Sequence, residues 1–260
     1  MDNLIRVMTF NIRFDNPKDG DKRWEYRKDL VCEIIHRYHP QILGIQEATW
    51  RQIMDLRSAL PEYEFCIKGR VWDDTCQYPT LIFSKNRMSC KKNEDFWLSS
   101  TPGVHRSCDW GSIYPRLVSY GLLCMSGEEV SMVVAVTHLD HRSTGARVRQ
   151  VEAILRWYEQ SYKGDPFILL GDFNEPPEGP VYRALIESGL KDTWRLLGFE
   201  DDPQSYTHHN FEGQADVGRI DWIFVSDHFQ VLNGNIVLDS RDGRYPSDHF
   251  PYYVDLAFNR

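Results

Sequence analysis

Several short polar segments of this chain carry residues able to hold a cation, move a proton or bind an oxyanion, and most of them stand where an apolar run stops. Val7-Met8-Thr9-Phe10 stops at Asn11, and Ile42-Leu43-Gly44-Ile45 stops at Gln46-Glu47. Val133-Val134-Ala135-Val136 gives way to Thr137-His138-Leu139-Asp140, and Phe167 to Gly171 gives way to Asp172 and Asn174. Arg219-Ile220-Asp221-Trp222-Ile223 sets a carboxylate within an apolar run, and Ser247-Asp248-His249 precedes the last one. The pooled set is Glu47, Asp172, Asp221 and Asp248 with two imidazoles, His138 and His249, and two carboxamides, Asn11 and Asn174. Hard carboxylate oxygens with few imidazoles and no thiolate suit Mg²⁺ or Mn²⁺ better than zinc. An Asp-His pair suits general acid-base work near neutral pH, and a carboxamide donates to a phosphate oxygen.

Each residue also has a purely structural role open to it. Asp172 and Asn174 can form an Asx turn at a strand end. Asn11 can end a strand, Glu47 can cap the following helix, His138 can be a hydrogen-bonded core histidine, and Asp221 can partner Arg219. Singly, these readings suffice for most of the set. The repetition of one placement along the chain is what they leave unexplained.

The elements that must position these residues follow from periodicity. Strands are predicted over Leu4–Phe10, Gln41–Gln46, Glu64–Lys68, Thr80–Ser84, Met88–Phe96, Leu117–Met125, Val130–Val136, Phe167–Gly171, Ile220–Val225, Phe229–Leu238 and Tyr252–Phe258. Helical spacing covers Tyr26–Tyr38, a segment capped by Thr49 that runs to about Leu60, Ser143–Tyr162 and Val181–Ser188. Leu98–Pro115 reads as a long surface loop and Asp15–Gly20 as a short one. Strands outnumber helices, and helices fall between groups of strands. Two mainly antiparallel sheets packed face to face with helices outside, an α/β sandwich, fit this better than one doubly wound sheet. Strands of one such sandwich can deliver their polar ends to a single rim.

The chain has 260 residues, 42% hydrophobic and 26% charged, in the range of a globular domain, and without linker or repeat it is expected to form one domain over 1–260. A net charge of -8 is a poor footprint for tight duplex binding, which needs a basic face. Cys32, Cys66, Cys76, Cys90, Cys108 and Cys124 are scattered without a C-x-x-C pair, so zinc and redox motifs are not expected. Met1-Asp2-Asn3-Leu4-Ile5-Arg6 lacks a leader pattern, and no apolar run is long enough to span a membrane. A cytoplasmic monomer with reduced cysteines and no protein partner is the expectation.

Thr9-Phe10-Asn11, Gln46-Glu47, Thr137-His138-Leu139-Asp140, Gly171-Asp172-Phe173-Asn174, Arg219-Ile220-Asp221 and Ser247-Asp248-His249, in this order, resemble the motifs of the endonuclease/exonuclease/phosphatase superfamily. Phe10-Asn11-Ile12-Arg13-Phe14-Asp15-Asn16-Pro17 and Tyr245-Pro246-Ser247-Asp248-His249-Phe250-Pro251 resemble a largely uncharacterised bacterial branch of it. The resemblance implies a four-layered α/β sandwich, a divalent metal, usually Mg²⁺, and hydrolysis of a phosphoester. It implies that Glu47 is a metal ligand with Asn11 beside it and Asp248 as a further carboxylate. Asp172 and Asn174 match the pair that orients water and phosphate, and Asp221 with His249 matches the carboxylate-imidazole dyad. His138 matches a histidine found outside the abasic-site repair branch. Gln77 aligns where the branch often carries a glutamate near that histidine, and glutamine cannot raise an imidazole pKa as a carboxylate does. Phosphate binding is therefore the role expected of His138.

Substrate recognition is expected from Arg23, Trp24, Trp110, Arg116 and Arg147, since arginine pairs with phosphate and aromatic rings stack on bases or sugars. The expected activity is that of a phosphodiesterase or nuclease acting on a small molecule or single strand. A phosphomonoesterase of a sugar or inositol phosphate and a lipid phosphodiesterase are the enzymatic alternatives, and a non-catalytic binding module of the same fold is the third.

Overall fold

The computed structural model describes residues 4–128, 130–215 and 217–259. Met1, Asp2 and Asn3, part of the terminus read for a leader pattern, lie outside the described residues.

The first half of the chain runs β1 (Ile5–Asn11), α1 (Trp24–Tyr38), β2 (Ile42–Gln46), α2 (Trp50–Ala59), β3 (Tyr63–Phe65) and β4 (Thr80–Ser84). Then come β5 (Met88–Trp97), β6 (Leu117–Met125), β7 (Ser131–His138), α3 (Thr144–Ser161), β8 (Phe167–Asp172) and α4 (Pro180–Glu187). The rest is β9 (Lys191–Asp192), α5 (Thr193–Leu196), β10 (Asp221–Val225), β11 (Phe229–Ile236) and β12 (Tyr252–Phe258). One sheet has the order β11-β12-β1-β2-β4-β3 and the other β5-β6-β7-β8-β10-β9. Three elements escape periodicity because they are too short to show one: β9, α5 and a 3-10 turn at Pro17–Lys22, which begins in the predicted loop and ends two residues beyond it.

The sheets are mixed. Each is antiparallel except for one central parallel pair, β1 with β2 and β7 with β8. Each parallel pair is joined by a helix, α1 or α3, as a parallel crossover requires. Between the sheets lies a core of Val7, Ile42, Leu81, Val134, Val136, Leu170, Ile223 and Val254. α1 and α2 cover the outer face of one sheet through Val31, Ile35, Ile53 and Leu56 against Met8, Phe10 and Ile45. Val151 and Ile154 of α3 and Val181 and Leu185 of α4 cover the other, against Val133, Leu169 and Phe224. The result is four layers, helix–sheet–sheet–helix.

Side-chain alternation explains what stands at the strand ends. Ile5 and Val7 of β1 face the second sheet, so two steps of the same phase bring Thr9 and Asn11 to that face. Val134 and Val136 lead in the same way to His138, Ile168 and Leu170 to Asp172, and Ile223 back to Asp221. The polar residues are continuations of the inward apolar stripe, displaced to its end. The sheets approach closely just below them: a Cβ on Gly44 would lie 2.8 Å from Leu170 Cδ1 and 2.9 Å from Val136 Cγ2.

Candidate active site

Asn11 sits at the centre. Its Nδ2 donates to Asp172 Oδ2 at 2.9 Å and to Glu47 Oε1 at 3.3 Å, and lies 3.4 Å from His249 Nε2. It therefore joins residues of both sheets. Asn11 and Gln46 are register partners at the open ends of β1 and β2, and His138 and Asp172 at the ends of β7 and β8. Antiparallel β10 adds Asp221 opposite Asp172.

Asp172 is fully buried and held from several sides. Its Oδ1 accepts the Asn174 backbone N–H at 2.8 Å, so the Asx turn of the structural reading is present and serves the site. Its Oδ2 lies 3.5 Å from His138 Nε2 and 3.9 Å from His249 Nε2. Asn174 itself is left-handed, φ 51°, and its amide donates to Leu139 O at 3.0 Å. His249 completes the dyad, Nδ1 standing 2.8 Å from Asp221 Oδ2. Asp221 does not pair with Arg219, which is bound instead by Asp192 and Asp201. Glu47 leaves the cap of α2 to Thr49 and takes a left-handed backbone, φ 64°, that lets Oε2 accept from Phe14 N.

Burial and neighbours set the protonation of these groups. Burial drives Asp172 up to about 7, with the Asp221 charge adding to it and His249 opposing. Burial pulls His249 down, but Asp221, Asp172 and Asp248 outweigh it and carry the imidazole up to about 10. His138 is pushed well below its usual range by burial and by the Arg116 and His249 charges. A neutral His138 agrees with the hydrogen-bonding role expected of it, and its carboxylate neighbour is Asp172.

Among the described residues, two groupings have ligand atoms within 4.8 Å of one another: Asp172, Asp221 and His249, and His208, Asp248 and His249. Asp221 Oδ1 is buried without a hydrogen-bond partner among the described residues, an open acceptor in the first grouping. Both Glu47 oxygens keep a further lone-pair site beyond the bonds from Asn11 and Phe14. This carboxylate-rich donor set fits a hard divalent cation. Asp248 is tied to Arg13 Nη1 at 3.4 Å and is held below the usual carboxylate range by His249 and Arg13, against its burial.

The residues expected to bind substrate are placed unequally. Arg116 is buried beside the centre, where it feels the charges of Glu47, Asp140 and Asp172; Nη2 meets His141 Nδ1 at 3.4 Å and Nε has no partner among the described residues. Arg147 is turned into a buried ion pair with Glu175 and also donates to Asp140 O. Trp24 belongs to the core and donates to Asp55, and Arg23 clamps Asp15. Trp110 lines a separate cavity. Arg13 and His208 came to the site without a sequence signal: Arg13 follows Asn11 in a left-handed turn, φ 54°, and His208 bridges to His249 from an irregular segment.

Carboxylates, the hydrogen-bonded Asp221–His249 pair and buried His138 meet at one rim of a four-layered sandwich, an arrangement suited to phosphoester hydrolysis. The Endonuclease/Exonuclease/phosphatase family model matches residues 8–249, and the chain belongs to that family. Among solved structures it is similar to a family member of Bacteroides vulgatus, at 27% identity over 98% of this chain and 99% of that one, TM-score 0.89. It is also similar to the mannosyl-6-phosphatase of Bacteroides thetaiotaomicron, at 27% identity over 98% and 100%, TM-score 0.86. Nocturnin of Xenopus laevis is 25% identical over 98% of this chain, which spans 73% of that protein. No helix among the described residues is long and apolar enough to cross a membrane.

Proposed function

We propose that this protein is a divalent-metal-dependent phosphomonoesterase acting on a sugar or polyol phosphate. The observation that carries the choice of monoester is Arg116. A buried guanidinium with an unpartnered Nε beside the carboxylate centre suits the second negative charge that a monoester has and a diester lacks. The likeness to a mannosyl-6-phosphatase over the whole chain supports the sugar.

Glu47, with the Asn11 amide on its Oε1, would hold Mg²⁺ or Mn²⁺ with Asp248 as a further carboxylate, and the ion when bound stabilises charge on the phosphoryl oxygens. Asn11, Asn174 and neutral His138 hydrogen-bond and orient the phosphoryl group. Asp172, its carboxylate fixed by Asn11 and the Asn174 N–H, holds the attacking water. His249, its Nδ1 held by Asp221, presents Nε2 to the reacting group. A second reading, a phosphodiesterase of single-stranded nucleic acid or of another small diester, is favoured by the nucleases within the family.

The test is hydrolysis of p-nitrophenyl phosphate, bis-p-nitrophenyl phosphate and mannose 6-phosphate with Mg²⁺, Mn²⁺ or chelator, comparing wild type with Asp172→Asn. Metal-dependent monoester cleavage that is lost in the variant is expected. Preferential cleavage of the diester would transfer the assignment to the second reading. Turnover undiminished by chelator would overturn both.

A further inference from the structure

A cavity among the described residues lies away from the catalytic cluster. It measures about 700 Å³ and opens between edge strand β5, helix α3 and the loop that follows Trp97. That volume is in the range of small-ligand sites. Its aromatic floor is built on Trp157, whose ring centroid lies 4.6 Å from Tyr120 and 5.1 Å from Phe96.

Trp110 stands in the wall with φ 58° and is followed by Gly111 with φ 78°. A bulky residue in the left-handed region is uncommon, and such conformations gather at ligand clamps. Among the described residues nothing in the fold claims the indole: Trp110 has neither a ring partner nor a hydrogen bond.

The charge balance of the lining points to the ligand. Glu94 is matched by Lys92 and the Tyr120 hydroxyl, Asp95 by Arg70, and Glu152 by Arg149. Arg156 has no ion-pair or hydrogen-bond partner among the described residues, nor has Gln160 one turn later on the same helix. The wall thus combines flat aromatic faces, one uncompensated guanidinium and a free carboxamide. Aromatic faces stack on nucleobases, a guanidinium pairs with phosphate, and a carboxamide reads a base or ribose edge. A lipid phosphate would leave the indoles without a flat partner.

We propose that this cavity is a binding site for a nucleoside phosphate, with the base on Trp110 and the aromatic floor and the phosphate on Arg156. The site is independent of the reading given to the catalytic centre. The loop that carries Trp110 also packs on the segment that follows His138, because Ser112 Oγ and Ile113 N donate to Asp140 and Tyr114 stacks on His141.

The test is calorimetric titration of adenosine 5′-monophosphate in chelator into wild type, Arg156→Gln, Trp110→Ala and His249→Ala, each checked for folding by its melting curve. Saturable binding is expected in wild type and in His249→Ala, weakened about tenfold or more by either cavity substitution. Adenosine and ribose 5-phosphate should each bind about tenfold more weakly than the nucleotide, since each lacks one recognised part. Absence of saturable binding at millimolar nucleotide would overturn the site. So would unchanged binding in Arg156→Gln, loss of binding in His249→Ala, or equal affinity for ribose 5-phosphate. Competition in wild type gives a second measure: purely competitive inhibition of p-nitrophenyl phosphate turnover would place the nucleotide at the catalytic centre and overturn the assignment.

Discussion

His138 and Asp172 are register partners across the parallel strands β7 and β8, and their side chains meet with Nε2 3.5 Å from Oδ2. Parallel pairing puts both strand exits at the same edge, and an even number of steps from the apolar stripe puts both side chains on the inner face. The same construction in the other sheet supplies Asn11 beside Gln46 and Glu47.

The dyad should behave as a unit of catalysis. His249→Ala is expected to lower turnover about 10²- to 10⁴-fold, the usual contribution of a positioned acid-base group. Steady-state kinetics on a nitrophenyl ester, with circular dichroism to show an intact fold, checks this. A rate within a factor of about three of wild type, well short of that contribution, would remove His249 from the mechanism.

Gly171 is required by its neighbour in β7. Its φ is 152°, and a Cβ there would stand 2.0 Å from the carbonyl oxygen of Thr137. Gly171→Ala should cost about 2–4 kcal/mol in urea unfolding, because backbone must move to admit a methyl. Gly20→Ala is the control: φ is 58° with nothing within 4 Å, so only about 1–2 kcal/mol is expected.

Arg27 ties the site's loops together without a carboxylate. Its guanidinium donates to Ile12 O at 2.6 Å, Arg13 O at 2.7 Å, Lys22 O at 2.7 Å and Pro246 O at 2.9 Å, and burial lowers its pKa to about 10. Lysine keeps the charge but not the fork. Arg27→Lys should cost about 1–3 kcal/mol for each buried carbonyl left unpaired. It should also depress kcat, since these carbonyls flank Asn11 and Asp248. Thermal melts and kinetics together test it; a stable variant with normal kcat would refute the clasp.

Cys90 is the thiol to watch. Its contact with Cys66 lowers it to about 7, against its burial, with the Asn93 amide also favouring the thiolate. A thiol reacts as thiolate, so iodoacetamide labelling at Cys90 should rise through pH 7 and level off by about pH 8. An ordinary thiol, pKa about 8.5, would still be climbing there. Peptide mass spectrometry across this range decides, and a midpoint above about 8.5 would contradict the assignment.

The fold was legible where apolar alternation ran long. Leu117–Met125 and Thr80–Ser84 stand where periodicity put them, and the other predicted strands and helices agree apart from their ends, except that Glu64–Lys68 shares only Glu64 and Phe65 with β3. The parallel pairs were not legible, because pairing direction leaves no mark on a fully buried strand such as Ile42–Gln46. Within the site, Asn11, His138, Asp172, Asn174, Asp221 and His249 could be named because strand ends are visible in sequence. Arg13 and His208 could not, because a left-handed turn and an isolated bridge place them. For Trp24 and Arg147 the surroundings were not legible for a different reason: composition does not say whether an indole or guanidinium faces solvent or, as here, Asp55 and Glu175.

Because the amide of Asn11, from one sheet, must reach Asp172 in the other at 2.9 Å, reactivity in this protein reports alignment between layers. In the proposed mechanism neither layer owns a complete set of reacting groups. A slippage of one strand register, about 3.4 Å, would break that contact while leaving each layer's own ladder intact. Turnover is thus a finer gauge of how the two halves mesh than any spectroscopic count of strands or helices.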